Sequence, residues 1–462
     1  MTTFFIQNFG CRATQADADA IRHSLHAQGH TPAESDTSAD IVVLNTCTVT
    51  AAADAEARES IRRIHRQNPA ARVIATGCYA QRAPEELAAL PGVSWVVGNS
   101  HQREIASLAN EPAAVANFIP LSVVTPNAPL PSRILREEMS AHTPPVASPR
   151  PFTDSPDDVL PDDLRDHPLA ASRTRPTLKI QDGCNHRCAY CIIPLVRGRS
   201  RSLAPAAILG EIRRLIETGA QEIVLSGIDL GSYGRDLTPR ISLHALVRKI
   251  LDETALPSLR LSSIEPIDIT QDFVNLVASE PRIAPHFHLP LQSGSDRILR
   301  AMHRWYRAAH YARRVELIRE TLPHAAIGAD VIVGFPGETD EDHAATMNFI
   351  SALPLSYLHV FSFSPRPGTE AANLTAAQLP THTIHLRARE LRALSQTKTH
   401  HFRISQQGRK TRVLTLGRKG DNWTGAVSSN YLNVRVAGSW PRNRWLEVKI
   451  PADAASLTAV AH

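Results

Sequence analysis

A chain of 462 residues is too long for a single hydrophobic core, so at least two domains are expected. Its composition, 43% hydrophobic and 21% charged, is that of a globular protein and excludes a disordered or fibrous one. The net charge of +5 is mild, and six cysteines are too few for a disulfide framework. The opening MTTFFIQNFGC lacks the basic region of a signal peptide, and no apolar run is long enough to span a membrane. A cytoplasmic setting is therefore expected, where clustered cysteines bind metal or do catalysis.

The first segment alternates strands and helices. TTFFIQNFG, IVVLNTC (Ile41 to Cys47), ARVIATGC (Ala71 to Cys78) and SWVVGN (Ser94 to Asn99) read as strands. Asp17 to Gln28 and Asp54 to Gln67 read as helices, so the expected domain, ending near Val124, is α/β around a parallel sheet. Residues 125–175 are rich in Pro, Ser and Asp without a sustained apolar period, and read as a linker.

From residue 176 to 397 the alternation resumes. TLKIQ, EIVLSGI, LRLSSI, HFHLPLQ, AIGADVIVGFP and YLHVFSF are strand candidates, with helices between them such as Pro205 to Thr218 and His310 to Thr321. Six such repeats fit a partial or complete barrel of parallel strands, with an open doubly wound sheet as the competing topology. An Arg-rich helix over 381–400 follows. Residues 398–462 then switch to short β segments, expected as a small antiparallel barrel.

The strongest local signal is Cys184, Cys188 and Cys191, in DGCNHRCAYCIIP. Three thiolates within eight residues can converge on one centre from a loop but not from a flat strand. Zinc prefers four ligands and no fourth cysteine is near, although His186 lies inside the loop and a zinc knuckle is an alternative. A [4Fe–4S] cluster accepts three thiolates and keeps one iron open. Cys11, Cys47 and Cys78 each fall at the C-terminal end of a predicted strand. In a parallel sheet those ends share one edge, so the three make a second candidate metal site, with buried structural cysteines as the alternative.

The C-x3-C-x2-C spacing, with Tyr190 before the last cysteine and TLKIQ before the loop, resembles the radical S-adenosylmethionine superfamily. That resemblance implies a cluster whose open iron binds S-adenosylmethionine, whose cleavage yields a radical able to abstract hydrogen from an unactivated C–H bond. Cys184, Cys188 and Cys191 are thereby the catalytic triad. The two triads in this order resemble the methylthiotransferase family. FGCRATQAD, NTCTVTAAAD, ATGCYAQ, DGCNHRCAYCIIPLVRGRSRS, LSGIDLGSYG, LRLSSIEP, HLPLQSGSDRILRAMHRWY, GADVIVGFPGET and HVFSFSPRPGT carry the likeness over nearly the whole chain apart from the linker.

The resemblance implies a first domain with one [4Fe–4S] cluster handling sulfur, a radical S-adenosylmethionine partial (β/α) barrel with another, and a C-terminal TRAM-like barrel holding substrate. Sulfur and electron donors are implied as partners. The arginine in FGCR, the CTVT stretch and SGIDLGSYG look most like the branch acting on threonylcarbamoyladenosine at position 37 of tRNA. Branches acting on isopentenyladenosine or a ribosomal-protein aspartate are alternatives, as is a non-enzymatic zinc-binding protein that holds RNA. Thr14 stands where the family has asparagine, and its hydroxyl is expected to bond the loop less extensively than an amide. Leu195 replaces a frequent tyrosine.

Around the barrel rim, the resemblance places the amino group of S-adenosylmethionine at Ser226 and Gly227. Glu265 is a candidate for its ribose or for substrate, Gln292 and Ser293 for a polar contact, and Gly334, Phe335 and Pro336 for backbone contacts to its adenine. The alternatives are a plain βα turn for Ser226 and Gly227, a surface carboxylate before a proline for Glu265, and a satisfied turn for Gln292 and Ser293. Arg304 and Tyr306 are candidates to grip or stack on substrate. The histidine pairs His286/His288 and His400/His401 lack a third partner at metal spacing and read as ordinary.

Between Lys398 and Ile450 there are eleven Lys and Arg against Asp421 and Glu447. Arg409, Lys410, Arg412 and Trp423 are the expected RNA contacts there, because basic side chains interleaved with aromatics suit phosphates and bases.

Overall fold

The computed structural model describes residues 2–111, 117–118, 174–451 and 458–461. Most of the Pro-rich linker, and the expected domain end near Val124, lie outside the described residues.

The N-terminal sheet is wholly parallel. Its strands β1 (Thr3–Asn8), β2 (Thr31–Pro32), β3 (Ile41–Thr46), β4 (Arg72–Gly77), β5 (Val93–Val97) and β6 (Asn117–Phe118) lie in the order β2-β1-β3-β4-β5-β6. β3 is buried at every residue because helices cover both faces, which is why it reads as an unbroken apolar run. Helices α1 (Arg12–Ala27) and α2 (Ala51–Gln67) lie on opposite faces, Ile21 and Leu25 joining one core and Ala57, Ile61 and Ile64 the other. Thr50 caps α2, its hydroxyl accepting from the Ala53 N–H. α1 begins well before the expected Asp17, directly after Cys11.

The second domain is an open barrel. The strands are β7 (Thr177–Asp182), β8 (Arg201–Ser202), β9 (Ile223–Gly227), β10 (Leu259–Leu261), β11 (His286–His288), β12 (Ala326–Val333) and β13 (Tyr357–Ser362). β7, β9 and β10 pair in parallel, as do β11, β12 and β13. Parallel bridges Leu259–Ile283 and Ser263–His288 join the two groups. Spatial order thus follows chain order, the mark of a partial barrel rather than a doubly wound sheet. β8 runs antiparallel along the β7 edge. Alternate residues Phe287, Ile327, Ala329, Val331 and Leu358 pack outward in the core, so His286, His288, Asp330, Tyr357 and His359 line the lumen. Helix α1 of the first domain packs against β7 and β9.

The helix Thr381–Gln406 extends beyond its expected end at His400, so Lys398 and Arg403 lie on it and not on the C-terminal barrel. That barrel is closed, in the order β14-β15-β16-β18-β17, from β14 (Lys410–Gly420), β15 (Trp423–Ser428), β16 (Asn433–Ala437), β17 (Trp445–Lys449) and β18 (Thr458–Ala461). The pairing of β16 with β18 is parallel, which departs from the fully antiparallel barrel expected. The C-terminal barrel sits at the N-terminal ends of the (β/α) strands, where Asn443 donates to Gly219 O (2.7 Å) and Asn430 to His324 O (2.9 Å).

Candidate functional site

The register of the first sheet, Asn8 opposite Asn45 and Asn45 opposite Thr76, brings Cys11, Cys47 and Cys78 to one edge. Gly10 has φ +108 and leaves no room for a side chain: a Cβ there would lie 2.7 Å from Cys47 Cβ and 2.9 Å from its Sγ. The buried Thr14 donates from its hydroxyl to Cys11 O (2.8 Å) and contacts Phe9 O (3.3 Å). Asn45 adds a bond to Thr14 O (2.7 Å), so the loop keeps an amide donor from another strand. Burial, reinforced by the neighbouring Cys78 and Cys11, pushes the Cys47 thiol up to about 12. Burial also raises Cys78, opposed by the Arg197 guanidinium.

The second triad lies on the loop after β7. Arg304 Nη1 donates to Cys188 Sγ (3.3 Å), and the His186 N–H to Cys184 Sγ (3.4 Å). His186 Nε2 meets Asp229 Oδ2 at 3.3 Å, and Asp229 lies 3.9 Å from Cys184 Sγ. Burial and the Asp229 charge raise the Cys184 thiol, and burial with Cys188 pushes Cys191 up to about 12. Among the described residues neither triad gathers its three sulfurs within 4.8 Å of one another. A tetrahedral zinc with bonds of about 2.3 Å would need a triad's sulfurs closer, as Cys184, His186 and Asp229 are to one another, whereas a multi-iron cluster spaces its thiolates more widely.

The two triads share a wall. Cys78 packs with Ile192 and Val196, the first and fifth residues after Cys191. Between them lies Arg197, 2% exposed. It donates from Nε to Cys78 Sγ (3.3 Å), from Nη1 to both Asp182 oxygens (3.0 Å each) and from Nη2 to Asp17 (2.8 Å). Lys179 completes the group by bonding both Asp17 and Asp182. Burial works against charge on Asp182, but Arg197 and Lys179 hold its carboxyl well below the usual range. No spacing rule reveals this network, because Asp17 and Arg197 are far apart in sequence; only the RGRSRS run after the cysteines hints at it.

The other expected site residues divide. Tyr190 and Phe335 pack around Ala189, so Phe335 braces the cysteine loop. Ser226 is buried on β9, and the close approach that Gly227 permits is taken by Gln181, whose Oε1 would lie 2.9 Å from a Cβ there. Glu265 is paired with Arg304; burial raises its pKa and Arg304 opposes this. Gln292 takes φ 67, and its side-chain amide makes no hydrogen bond among the described residues, whereas the Ser293 hydroxyl is engaged by Thr346 (3.2 Å) in a closed turn. The N–H of Gly334, one of the backbone groups expected at the adenine, donates to Glu338 (2.7 Å).

Arg304 and Tyr306 are not arranged as substrate contacts. Arg304 is committed to Glu265, Cys188 and Tyr306, and the fully buried Tyr306 donates to Pro290 O (2.7 Å). His288 gains in space the partners its spacing did not show: His288, Asp330 and His359 lie within 4.8 Å of one another. On the C-terminal barrel, Lys410 and Arg412 are exposed, Arg412 lies over Trp445 (4.7 Å) and Arg435 over Trp423 (4.6 Å). Arg409 is bonded to His324 of the (β/α) barrel.

A partial barrel of six parallel strands, with a three-cysteine loop after the first, defines a radical S-adenosylmethionine protein. Residues 178–350 match the Radical SAM superfamily model and residues 3–98 that of the uncharacterized protein family UPF0004. The chain is 35% identical to a threonylcarbamoyladenosine tRNA methylthiotransferase of Aquifex aeolicus, covering 94% of this chain and 96% of that one. It is 34% identical to the protein so named in Bacillus subtilis (81% and 76%). It is 32% identical to a tRNA-2-methylthio-N(6)-dimethylallyladenosine synthase of Thermobifida fusca (91% and 79%). The chain therefore belongs to the radical S-adenosylmethionine methylthiotransferase family. A radical S-adenosylmethionine methyltransferase of Kitasatospora setae shares the fold at 18% identity and TM-score 0.52, over 80% of this chain and 77% of that one. No described helix is long and apolar enough to cross a membrane.

Proposed function

We propose that this enzyme adds a methylthio group to C2 of N6-threonylcarbamoyladenosine at position 37 of tRNA. The observation that carries the reading is Cys78 packed on Ile192 and Val196 and bonded by Arg197, which brings the first cysteine edge against the segment that follows the second triad. The substrate follows the first two relatives named above.

Cys184, Cys188 and Cys191 would hold one [4Fe–4S] cluster, and Cys11, Cys47 and Cys78 a second. Together with S-adenosylmethionine these groups supply hydrogen abstraction from a C–H bond, sulfur and methyl. An aromatic C–H of adenine has no useful acidity, so no side chain of this site could activate it as a base. The protein's own residues orient and insulate. Arg304 fixes Cys188, His186 and Asp229 fix Cys184, and Arg197 sets a permanent positive charge against Cys78. Ser226, Gly227, Glu265 and Gln292, at or just past strand C-terminal ends, would contact S-adenosylmethionine. Lys410, Arg412 and Trp423 of the C-terminal barrel would contact the RNA.

The reading divides the chain into a cluster domain (1–124), a linker (125–175), the barrel with its long helix (176–397) and an RNA-holding barrel (398–462). It requires a low-potential electron donor and a sulfur donor, in the cytoplasm where tRNA is found. The test is anaerobic reconstitution followed by iron, sulfide and zinc analysis. About eight irons per chain, falling to about four in Cys78→Ala, is expected. Stoichiometric zinc without sulfide would overturn it.

A further inference from the structure

The lumen floor holds a group of cations that the cluster chemistry does not use. Tyr431 enters from the turn after β15 and stacks on His286, ring centroids 4.3 Å apart. It is held at φ 71, a left-handed conformation that a tyrosine adopts only when its surroundings impose it. Three guanidinium groups face its ring: Arg260 at 5.4 Å, Arg175 at 5.8 Å and Arg12 at 5.9 Å from the centroid. Arg260 and Arg175 both pair with the buried Glu222, at 2.8 and 3.5 Å.

Arg12 is different. It has no acidic partner among the described residues; its Nη2 reaches the Tyr431 hydroxyl at 3.4 Å, and its Nη1, like that of Arg260, is buried without a hydrogen bond. A buried guanidinium N–H left unsatisfied is costly and calls for an anion. Three cations facing one carboxylate leave the floor with surplus positive charge. The wall beside it, His286, His288, Tyr357, His359 and Asp330, is polar, so it suits a charged, hydroxylated group better than a branched hydrocarbon.

We infer that Arg12, clamped against Tyr431, binds the terminal carboxylate of the N6 substituent and is the residue that selects an acidic adenosine modification over an apolar one. This rests on the substrate reading above and deepens it. A planar guanidinium fork matches a carboxylate in two parallel bonds, which a neutral amide cannot reproduce. Because Arg12 directly follows Cys11, a substituent anchored here keeps its base beside the first cysteine edge.

The test uses the reconstituted full-length enzyme and two anticodon stem-loop RNAs. One carries N6-threonylcarbamoyladenosine, the other the same nucleoside with its carboxylate converted to a primary carboxamide. Wild-type enzyme is expected to prefer the acid by roughly 10- to 100-fold in kcat/KM, chiefly through KM. Arg12→Gln should remove most of that ratio, Arg12→Lys should restore part of it, and Tyr431→Leu should lower it to a smaller extent. A wild-type enzyme indifferent to the charge overturns the inference. So does an Arg12→Gln variant that loses the same factor on both RNAs, which would mark a merely structural role beside Cys11. Wild-type turnover of an isopentenyladenosine stem-loop and of neither threonylcarbamoyl RNA would instead overturn the substrate reading, and the inference with it.

Discussion

Replacing Arg197 by Met removes the buried positive charge that ties Cys78 to Asp17 and Asp182. The guanidinium makes two bonds to Asp182, one to Asp17 and one to the Cys78 sulfur, all out of water. Removing one partner of a buried ion pair costs about 3–5 kcal/mol, because the other charge is left without compensation. Here Lys179 still contacts both carboxylates, so one net negative charge remains instead of two, and the expected cost is near the lower bound, about 3 kcal/mol. For domains of this size that lowers the melting temperature by roughly 6–12 °C. The assay is anaerobic thermal denaturation of the apo-protein, followed by circular dichroism. Adding Asp17→Asn should recover part of the loss, since it removes the excess charge, giving a coupling of about 1–3 kcal/mol between the two sites. An Arg197→Met protein that melts within two or so degrees of wild type, or strictly additive effects, would refute the electrostatic reasoning.

Three further outcomes are expected. Glu222 and Arg260 are both fully buried and bonded at 2.8 and 3.0 Å, so Glu222→Gln should destabilise the barrel by about 3–5 kcal/mol in urea titration, more than any exposed pair such as Arg213–Glu253. Burial, with Arg260, Arg12, His288 and Arg175 nearby, holds His286 well below its ordinary pKa of 6.5. The unfolded chain therefore takes up a proton below pH 6.5 that the folded one refuses, and stability should fall as pH drops through that range. His286→Phe should flatten the slope by up to about 1.4 kcal/mol per pH unit in denaturation series from pH 7 to 5. Finally, Arg304→Met removes a cationic donor from Cys188 and should shift the potential of the reconstituted barrel cluster negative in a spectroscopically monitored redox titration, because a positive charge favours the reduced state.

Much of the site was legible because the chemistry sits at strand ends. Apolar runs such as IVVLNT stop where the sheet stops, so a cysteine after each run marks one sheet edge. The barrel loop was legible from the Cys184, Cys188 and Cys191 spacing alone. Boundaries were less so. Arg12, Thr14 and Gln15 are polar and Ala13 alone makes no apolar period, so α1 is expected to start at Asp17, yet its first turn is held by Thr14 and its packing on β7. HFHLPLQ reads as one strand, whereas the regular strand stops at His288; Leu289 and Leu291 still donate to Gly328 O and Asp330 O, and Gln292 bridges to Val331 at positive φ. Arg304 and Tyr306 looked like substrate residues because charge and aromaticity in a loop suggest contact; burial and pairing show otherwise. The Asp17, Lys179, Asp182 and Arg197 network and the Arg12–Tyr431 contact join separate domains, so no local pattern encodes them.

The most direct measurement of the central claim is nucleoside mass spectrometry of tRNA treated with the reconstituted enzyme, S-adenosylmethionine, a reductant and a sulfide source. The expected result is conversion of threonylcarbamoyladenosine to a product heavier by one CH2S unit, absent when either Cys78 or Cys188 is replaced by Ala. Unchanged threonylcarbamoyladenosine alongside a methylthio product from another adenosine, or full conversion by the Cys78→Ala enzyme, would contradict the account.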